Sequence, residues 1–445
     1  MSSPANSEQH FFGTEKVWKI LLKIAPPVML AQLIQALYNI VDSYYVGRDS
    51  AAGLTALSII FPLQLLITAL SVGTGVGINT VMARFYGTKQ PREADAVAGI
   101  GTVLALVSWL IFAVAAWFVM PAYVRLSTTT PEVIDAAIVY GRIVSVFSFG
   151  IFLESVWTKV LQASGNMRVP MIAQIIGALI NVALDPILIF GLGPIPATGV
   201  AGAAIATVVG QIAAAVITAF RGFRPIPAPA QFRQYIPQIY RAAFPSITMQ
   251  SLYTVYIVGL NMILSGFSDS AVTVLGLYYK LQTFFFIPLI GLQTCIVPVL
   301  SFNYAAGARE RCSQVLRQSL LIAAAFMVVG VIGFVFFPIP LIRLFSGEAE
   351  VLEIGRIAFP LIGAGFLPAV PAWIFPVFFQ AIGRNAKSVA LIVLRQIVLL
   401  VPIAWALSFI GLHFVWLTFP ISEIITSTLG VALYLQWRKQ EQQHP

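Results

Sequence analysis

The stretch ALINVALDP (178–186) lies inside a long apolar run and sets Asn181 and Asp185 four residues apart, just ahead of Pro186. On a helix, that spacing puts both polar side chains on one face. A carboxylate at membrane depth costs several kcal/mol, so it belongs beside partners or a polar cavity. Pro186 removes a backbone N–H and frees the carbonyl one turn earlier, which predicts a kink. A second acid, Asp42, stands in LYNIVDSYYVG (37–47). Counting 1.5 Å per residue from the cytoplasmic ends of their helices puts Asp42 and Asp185 both roughly 25 Å up. Thr207 and Tyr140 lie about 12 Å in from the outer ends. Tyr38, Asp42, Tyr140, Asn181, Asp185 and Thr207 can therefore share one depth. Asn39 and Pro186 complete the supporting set around them. Two carboxylates in one dehydrated site disfavour full charge, so one of them can hold a proton near neutral pH. Asn and Thr oxygens can equally help ligate a hard cation such as Na⁺. The residues leave that choice open.

Other polar residues inside apolar runs are fewer. Gln35, Glu154, Tyr256 and Lys280 are assigned to a substrate cavity, with Glu154 also placed to pair with Lys159 near the cytoplasmic end. Lys280 can repel cations, bind anions or bond a helix carbonyl. Tyr253, Tyr256, Tyr278, Tyr279 and Phe284–Phe286 can stack on flat organic cations. GTGVG (73–77) follows no strand, which argues against a nucleotide loop and for close helix packing, as does the ladder Gly202, Ala206, Gly210. Trp18, Trp109, Trp117, Trp405, Trp416 and Trp437 read as an interfacial belt.

Composition sets the class that must position these groups. The chain has 445 residues, 59% hydrophobic and 10% charged, against roughly 25% charged in soluble domains. Apolar runs near twenty residues recur from end to end, so the expectation is an all-α polytopic membrane protein. The net charge of +9 is spread in alternate loops, a pattern of membrane orientation rather than of nucleic-acid binding. Cys295 and Cys312 have no paired-motif spacing, and His10, His413 and His444 are scattered, so neither a metal site nor a disulfide framework is predicted. No cofactor is expected.

Twelve spans are predicted, at about 20–46, 53–83, 96–121, 132–163, 169–192, 198–220, 238–265, 271–303, 314–339, 353–380, 388–410 and 413–436. One side collects Lys16, Lys19, Lys23, Arg84, Lys89, Arg92, Lys159, Arg168, Arg221, Arg224, Arg233, Arg241, Arg309, Arg311, Arg317, Arg384, Lys387, Arg395, Arg438 and Lys439. The other has only Arg48, Arg125, Arg142, Arg343 and Arg356. Both termini are therefore expected in the cytoplasm. The predicted organisation is a tail at 1–16, a lobe at 17–221, a Pro-rich basic linker at 222–237, a lobe at 238–437 and a tail at 438–445. The halves repeat at an offset of about 218–220 residues. APPVMLAQLIQALY pairs with FPSITMQSLYTVY, ARFYGTKQPREA with SFNYAAGARERC, and VLQASGNMRVP with FFQAIGRNAKS. Two six-helix copies imply bundles related by a pseudo-twofold along the membrane normal. Under this offset Asp42, Asn181 and Asp185 fall on Leu260, Leu399 and Ile403. In-span acids are thus expected only in the first half, which points to a coupling site there.

At LYNIVDSYYVG, RFYGTKQ, LQASGNMR, NVALDP and GVAGAAIAT, in this order and spacing, the chain resembles the multidrug and toxic compound extrusion (MATE) family, most nearly its DinF-like bacterial group with the MepA-type pumps. The resemblance covers nearly the whole chain. It implies a V-shaped pair of bundles, alternating access, and export of amphipathic organic cations in exchange for H⁺, with Na⁺ second. It also implies a monomer in the bacterial inner membrane, in contact with lipid and small drugs. Asp42 and Asp185 match that group's acids, and Tyr38, Tyr140, Asn181 and Thr207 its network. NorM-like members carry acids in spans seven and ten, where SLYTVYIVGLNMIL and GFLPAVPAWIFPVFF have none. The alternative is a flippase for a lipid-linked precursor, which needs a basic cavity. An enzyme or receptor would need a clustered His, Cys or carboxylate set or a soluble output domain, and neither is present in the sequence.

Overall fold

The computed structural model of the protein describes residues 11–443. His10 and His444 lie outside them. Among the described residues helices dominate, and the one β-bridge, Leu192 with Ile195, closes a loop. In hydrocarbon every backbone polar group must be satisfied within its own segment, and a helix does this. The helices are α1 (Val17–Asp49), α2 (Ala51–Gly87), α3 (Pro91–Ser127), α4 (Pro131–Val146), α5 (Phe149–Ala163), α6 (Arg168–Phe190), α7 (Val200–Gly222), α8 (Pro229–Ser265), α9 (Asp269–Phe285), α10 (Ile287–Ala305), α11 (Arg309–Phe336), α12 (Pro338–Arg343), α13 (Ala349–Ala364) and α14 (Phe366–Ala381). There follow α15 (Asn385–Val393), a π-helical segment Leu394–Leu399, α16 (Leu400–Ser408), α17 (Leu412–Val415) and α18 (Thr418–Gln443). Ten described helical stretches, counting Asn385–Ser408 and Leu412–Gln443 as one each, are long and apolar enough to cross a membrane. Two pairs, bent by 42° between α4 and α5 and by 50° between α13 and α14, bring the total up to twelve.

Helix ends follow local chemistry. Ser50 and Ser268 accept from the amides of Gly53 and Ala271, and Pro91 and Pro131 occupy first-turn positions. The repeat is visible in the backbone. Gly165 and Gly383 both have positive φ (91° and 82°), as do Lys89 and Gly307 (59° and 76°), each pair about one repeat offset apart. Each turn reverses the chain with a left-handed residue, and only the first copy of the second turn uses a lysine for it.

Two compact units result. One holds the described residues up to Gly13 together with Pro26–Ile247. The second holds Thr14–Ala25 and the described residues from Thr248 onward. The division differs from the linker expected at 222–237. Only residues 223–228 are non-helical there, and α8 already starts at Pro229. The first turns of α8 belong to the first unit because they pack closely on α2. A Cβ on Gly77 would lie 2.4 Å from the Ile239 carbonyl oxygen, and one on Gly73 would lie 2.4 Å from the Ile247 side chain. Arg224 pairs with Asp95 at 2.9 Å, and Tyr235 donates to Glu93. GTGVG is thus a packing surface. The described part of the expected N-terminal tail is tied down as well, with Phe12 wholly buried. At the other end, Glu441 binds Arg309 at 2.8 Å and extends α18 into the expected C-terminal tail. Trp18, Trp117 and Trp405 are exposed as a belt requires, whereas Trp416 and Trp437 are core residues packed inside the second unit. Hydropathy marks span ends but not the face a ring takes.

The tightest pair in the first unit is α6 with α7. Gly177 and Gly210 face each other so closely that a Cβ on either would lie 2.7 or 2.6 Å from the other's carbonyl oxygen. The outer loop folds back, with Thr198 donating to the Leu188 carbonyl through both its amide and its hydroxyl. This fixes where α7 starts and hence the height of Thr207. Gly210→Val should separate the helices and cost about 1–3 kcal/mol, read as a lower midpoint in heated size-exclusion profiles. Gly276→Ala, where an added Cβ meets nothing within 4 Å, should leave that midpoint unchanged or slightly raised.

Candidate functional site

The first unit brings the sequence-predicted polar residues of α1, α4, α6 and α7 into one interior site. Asn181 lies one turn beyond the Gly177–Gly210 contact, so the close helix approach carries its side chain to α7. Its amide donates to Thr207 Oγ1 at 3.4 Å and to Asp185 Oδ1 at 3.5 Å. Asp185 is 0% exposed and Asp42 8%. The Asp42 charge acts on Asp185, and both act on Tyr38 and Tyr140. The Tyr140 hydroxyl accepts from Gln64 Nε2 of α2 at 3.2 Å. α6 continues through Pro186 to Phe190, so the proline lies inside one helix. Asn39, by contrast, is exposed.

Asp42 Oδ1, Asp185 Oδ2 and Asn181 Oδ1 are each enclosed without a hydrogen-bond partner among the described residues. All three are acceptors. An enclosed polar atom left unmet costs about 1–3 kcal/mol. This set of acceptor oxygens therefore fits a proton or a small hard cation, which would satisfy several of them at once.

Deeper in the same unit, Glu154 accepts from Thr158 Oγ1 at 2.7 Å and from Gln174 Nε2 at 3.5 Å. Lys159 donates to Gln162 Oε1 at 3.0 Å. Glu154 thus takes hydrogen bonds from neutral neighbours, with Lys159 near enough for its charge to act on the acid. The Glu154 charge also acts on Tyr38. Gln35 is exposed.

In the second unit, Lys280 is exposed and its ammonium lies 5.9 Å from the Phe345 ring. Tyr256, assigned from sequence to a cavity wall, is only 1% exposed. It packs in a ring cluster with Tyr253 at 5.4 Å and Tyr279 at 6.4 Å. Two charged residues here were misread or missed. Arg395, counted with the cytoplasmic loop cations, is buried in the π-helical segment. Glu423 is an acid in an apolar run of the half where none was expected. The Arg395 guanidinium grips it, with Nη2 to Oε1 at 2.6 Å and Nε to both oxygens at 3.0 Å. The carboxylate in ISEIITSTL was the available signal, but its partner could be known only from the fold.

The profile of the family described as MatE matches residues 27–187 and 245–406, one copy in each half. Among curated relatives, the FAD transporter of Shewanella oneidensis is 24% identical over 438 residues, covering 96% of each chain. The multidrug export protein MepA of Staphylococcus saprophyticus is 21% identical over 404 residues, covering 89% of this chain and 88% of that one. A solved MOP superfamily transporter from Pyrococcus furiosus is 23% identical and covers 98% of both chains at a TM-score of 0.90. An outward-facing multidrug resistance MATE transporter aligns over 100% of both at a TM-score of 0.91 and 22% identity. With the profile covering most of the chain in two copies, and a fold of membrane-crossing helices to match, this is a multi-pass membrane protein that belongs to the MatE family of transporters.

Proposed function

We propose that the protein is an antiporter that exports amphipathic organic cations in exchange for H⁺, with Na⁺ as the second candidate ion. The observation that carries this is the surplus of enclosed, unmet acceptors on Asp42, Asn181 and Asp185 in the first unit. Such a site is more stable with a cation bound than without one. A site of this kind drives transport only if the ion and the cargo prefer different states. Open to the outside, Asp42 and Asp185 take up the proton, the network through Asn181 and Thr207 rearranges, and the cargo leaves. Open to the inside, the proton leaves and cargo rebinds. The ion is the only cofactor. The basic residues on alternate loops support a place in the bacterial inner membrane with both termini cytoplasmic, and a single chain is a sufficient unit.

A second reading concerns the cargo. One relative is named for FAD, a phosphate-bearing planar ring rather than an organic cation. A cargo of that chemistry calls for donors, and the second unit supplies them around Arg395.

Ethidium efflux from reconstituted vesicles tests the first reading with ΔpH and ΔNa⁺ imposed separately. ΔpH alone should drive wild-type export, and Asp42→Asn and Asp185→Asn should fall to background. Full pumping by Asp185→Asn would sink the coupling role. Export driven only by ΔNa⁺ would make the same residues cation ligands. If neither gradient moves dye in folded protein, a labelled lipid precursor becomes the cargo to try. Asn181→Ala removes the donor shared by Asp185 and Thr207. It should shift the pH dependence of export while keeping measurable activity, because both carboxylates remain.

A further inference from the structure

The repeat places Arg395 where the first unit has Gly177. In that first copy two glycines let α6 and α7 close up. In the second copy the corresponding helix bulges into the π-helical segment Leu394–Leu399, and a guanidinium fills the space. π-bulges are frequently found at functional sites. A buried ion pair is a poor way to add stability, since apolar residues of similar volume serve as well or better. Both facts call for a role besides packing.

The unmet hydrogen-bonding groups beside the pair are of both kinds, with Gln396 Oε1 an acceptor and the Ser422 and Thr426 hydroxyls able to do either, but the guanidinium itself and Trp373 Nε1 only donate. Glu423 takes only the Nε–Nη2 edge of Arg395. Nη1 has no hydrogen bond among the described residues and is not fully enclosed. The guanidinium carbon lies 4.6 Å from the Trp373 ring centroid, and Trp373 Nε1 is enclosed with no partner. Arginine and tryptophan side chains donate and cannot accept. Ser422 Oγ and Thr426 Oγ1, on the helix that carries Glu423, are also enclosed without partners. Around this lie aromatic faces. The Arg395 charge acts on Tyr253, Tyr256 and Tyr278. Trp373, Tyr253 and Tyr279 keep partial exposure.

We propose that the second unit holds a binding site for a planar aromatic anion. Its carboxylate or phosphate binds the free edge of Arg395 and the Trp373 N–H, and its ring stacks on the partly exposed Tyr253–Tyr279 pair, whose centroids lie 6.1 Å apart. Glu423 competes with the ligand for the guanidinium and keeps the empty site neutral. A cation is disfavoured, because it would have to displace Arg395 from Glu423 and leave the guanidinium unpaired. The site is opposite in polarity to the acceptor-rich site of the first unit and is independent of which ion drives transport.

The test uses the full-length protein in lipid nanodiscs, with flavin mononucleotide and riboflavin as probes that differ only in the phosphate. Flavin fluorescence should quench saturably with flavin mononucleotide and much more weakly with riboflavin. Glu423→Gln should tighten flavin mononucleotide by about tenfold, the worth of one charged hydrogen bond. Trp373→Phe keeps a ring but removes the N–H and should weaken it severalfold. Arg395→Gln/Glu423→Gln removes both charges together, so no unpaired charge is left buried, and should lose the preference for the phosphate. Equal binding of the two flavins, unchanged affinity in Glu423→Gln, or a double variant that still prefers the phosphate would overturn the proposal. Failure here leaves the ethidium assay untouched, so the two readings fail separately.

Discussion

Water is the cheapest partner a charge can have, and hydrocarbon removes it. A carboxylate inside a bilayer must be neutralised, hydrogen-bonded or paired by the protein itself. The two units meet this constraint in opposite ways. In the second, Glu423 is held by both edges of its carboxylate on Arg395. In the first, Asp185 has one weak contact from Asn181 and an unmet oxygen. The second arrangement is closed on the acid and open on the cation. The first is open on the acids. That difference is set on a common scaffold of membrane-crossing helices.

The scaffold supports this through small residues. Gly177 and Gly210 bring α6 and α7 within backbone contact just below Asn181 and Thr207, so the reach of two short side chains is enough. Ala or larger at either glycine would widen the gap by more than an Asn–Thr hydrogen bond tolerates. In the second unit the same place carries a long cationic side chain, and the helix accommodates it with a π-helical turn. Duplication thus conserves the turns, seen in the left-handed pair Gly165 and Gly383, while the interior positions are free to diverge.

Much of the fold was legible because the bilayer restricts the options. Span number and the loop asymmetry follow from hydropathy and charge read one residue at a time, and the repeat and its offset from matched segments in the two halves. The polar set in the first half was legible for the same reason. Asp42, Asn181 and Asp185 stand out in apolar runs, and helical rise gives their depth. What failed had a common cause. Arg395 near a predicted span end reads as a loop cation, since hydropathy cannot tell a boundary residue from one folded inward. Glu423 stands inside an apolar run of the second half and was passed over, because the repeat aligned the first-half acids Asp42 and Asp185 with apolar residues there. Trp416 and Trp437 look interfacial by position yet pack inside. The linker prediction was too long because its prolines, Pro229 and Pro237, are compatible with the first turns and the interior of a helix that tertiary contacts hold in place.

The sequence by itself determined the class, the spans and the first-half acids, because each depends on the transfer of single residues between water and lipid, and it showed the two copies through matched segments at a fixed offset. Only the tertiary structure decided partners. It placed Asn181 between Thr207 and Asp185, gave Glu154 to Thr158 and Gln174, and joined Arg395 to Glu423 across helices. It also assigned the first turns of α8 to the first unit. These outcomes depend on which helix faces meet, and facing is set by close packing of side chains far apart in the chain. No local pattern of hydropathy or charge contains that information.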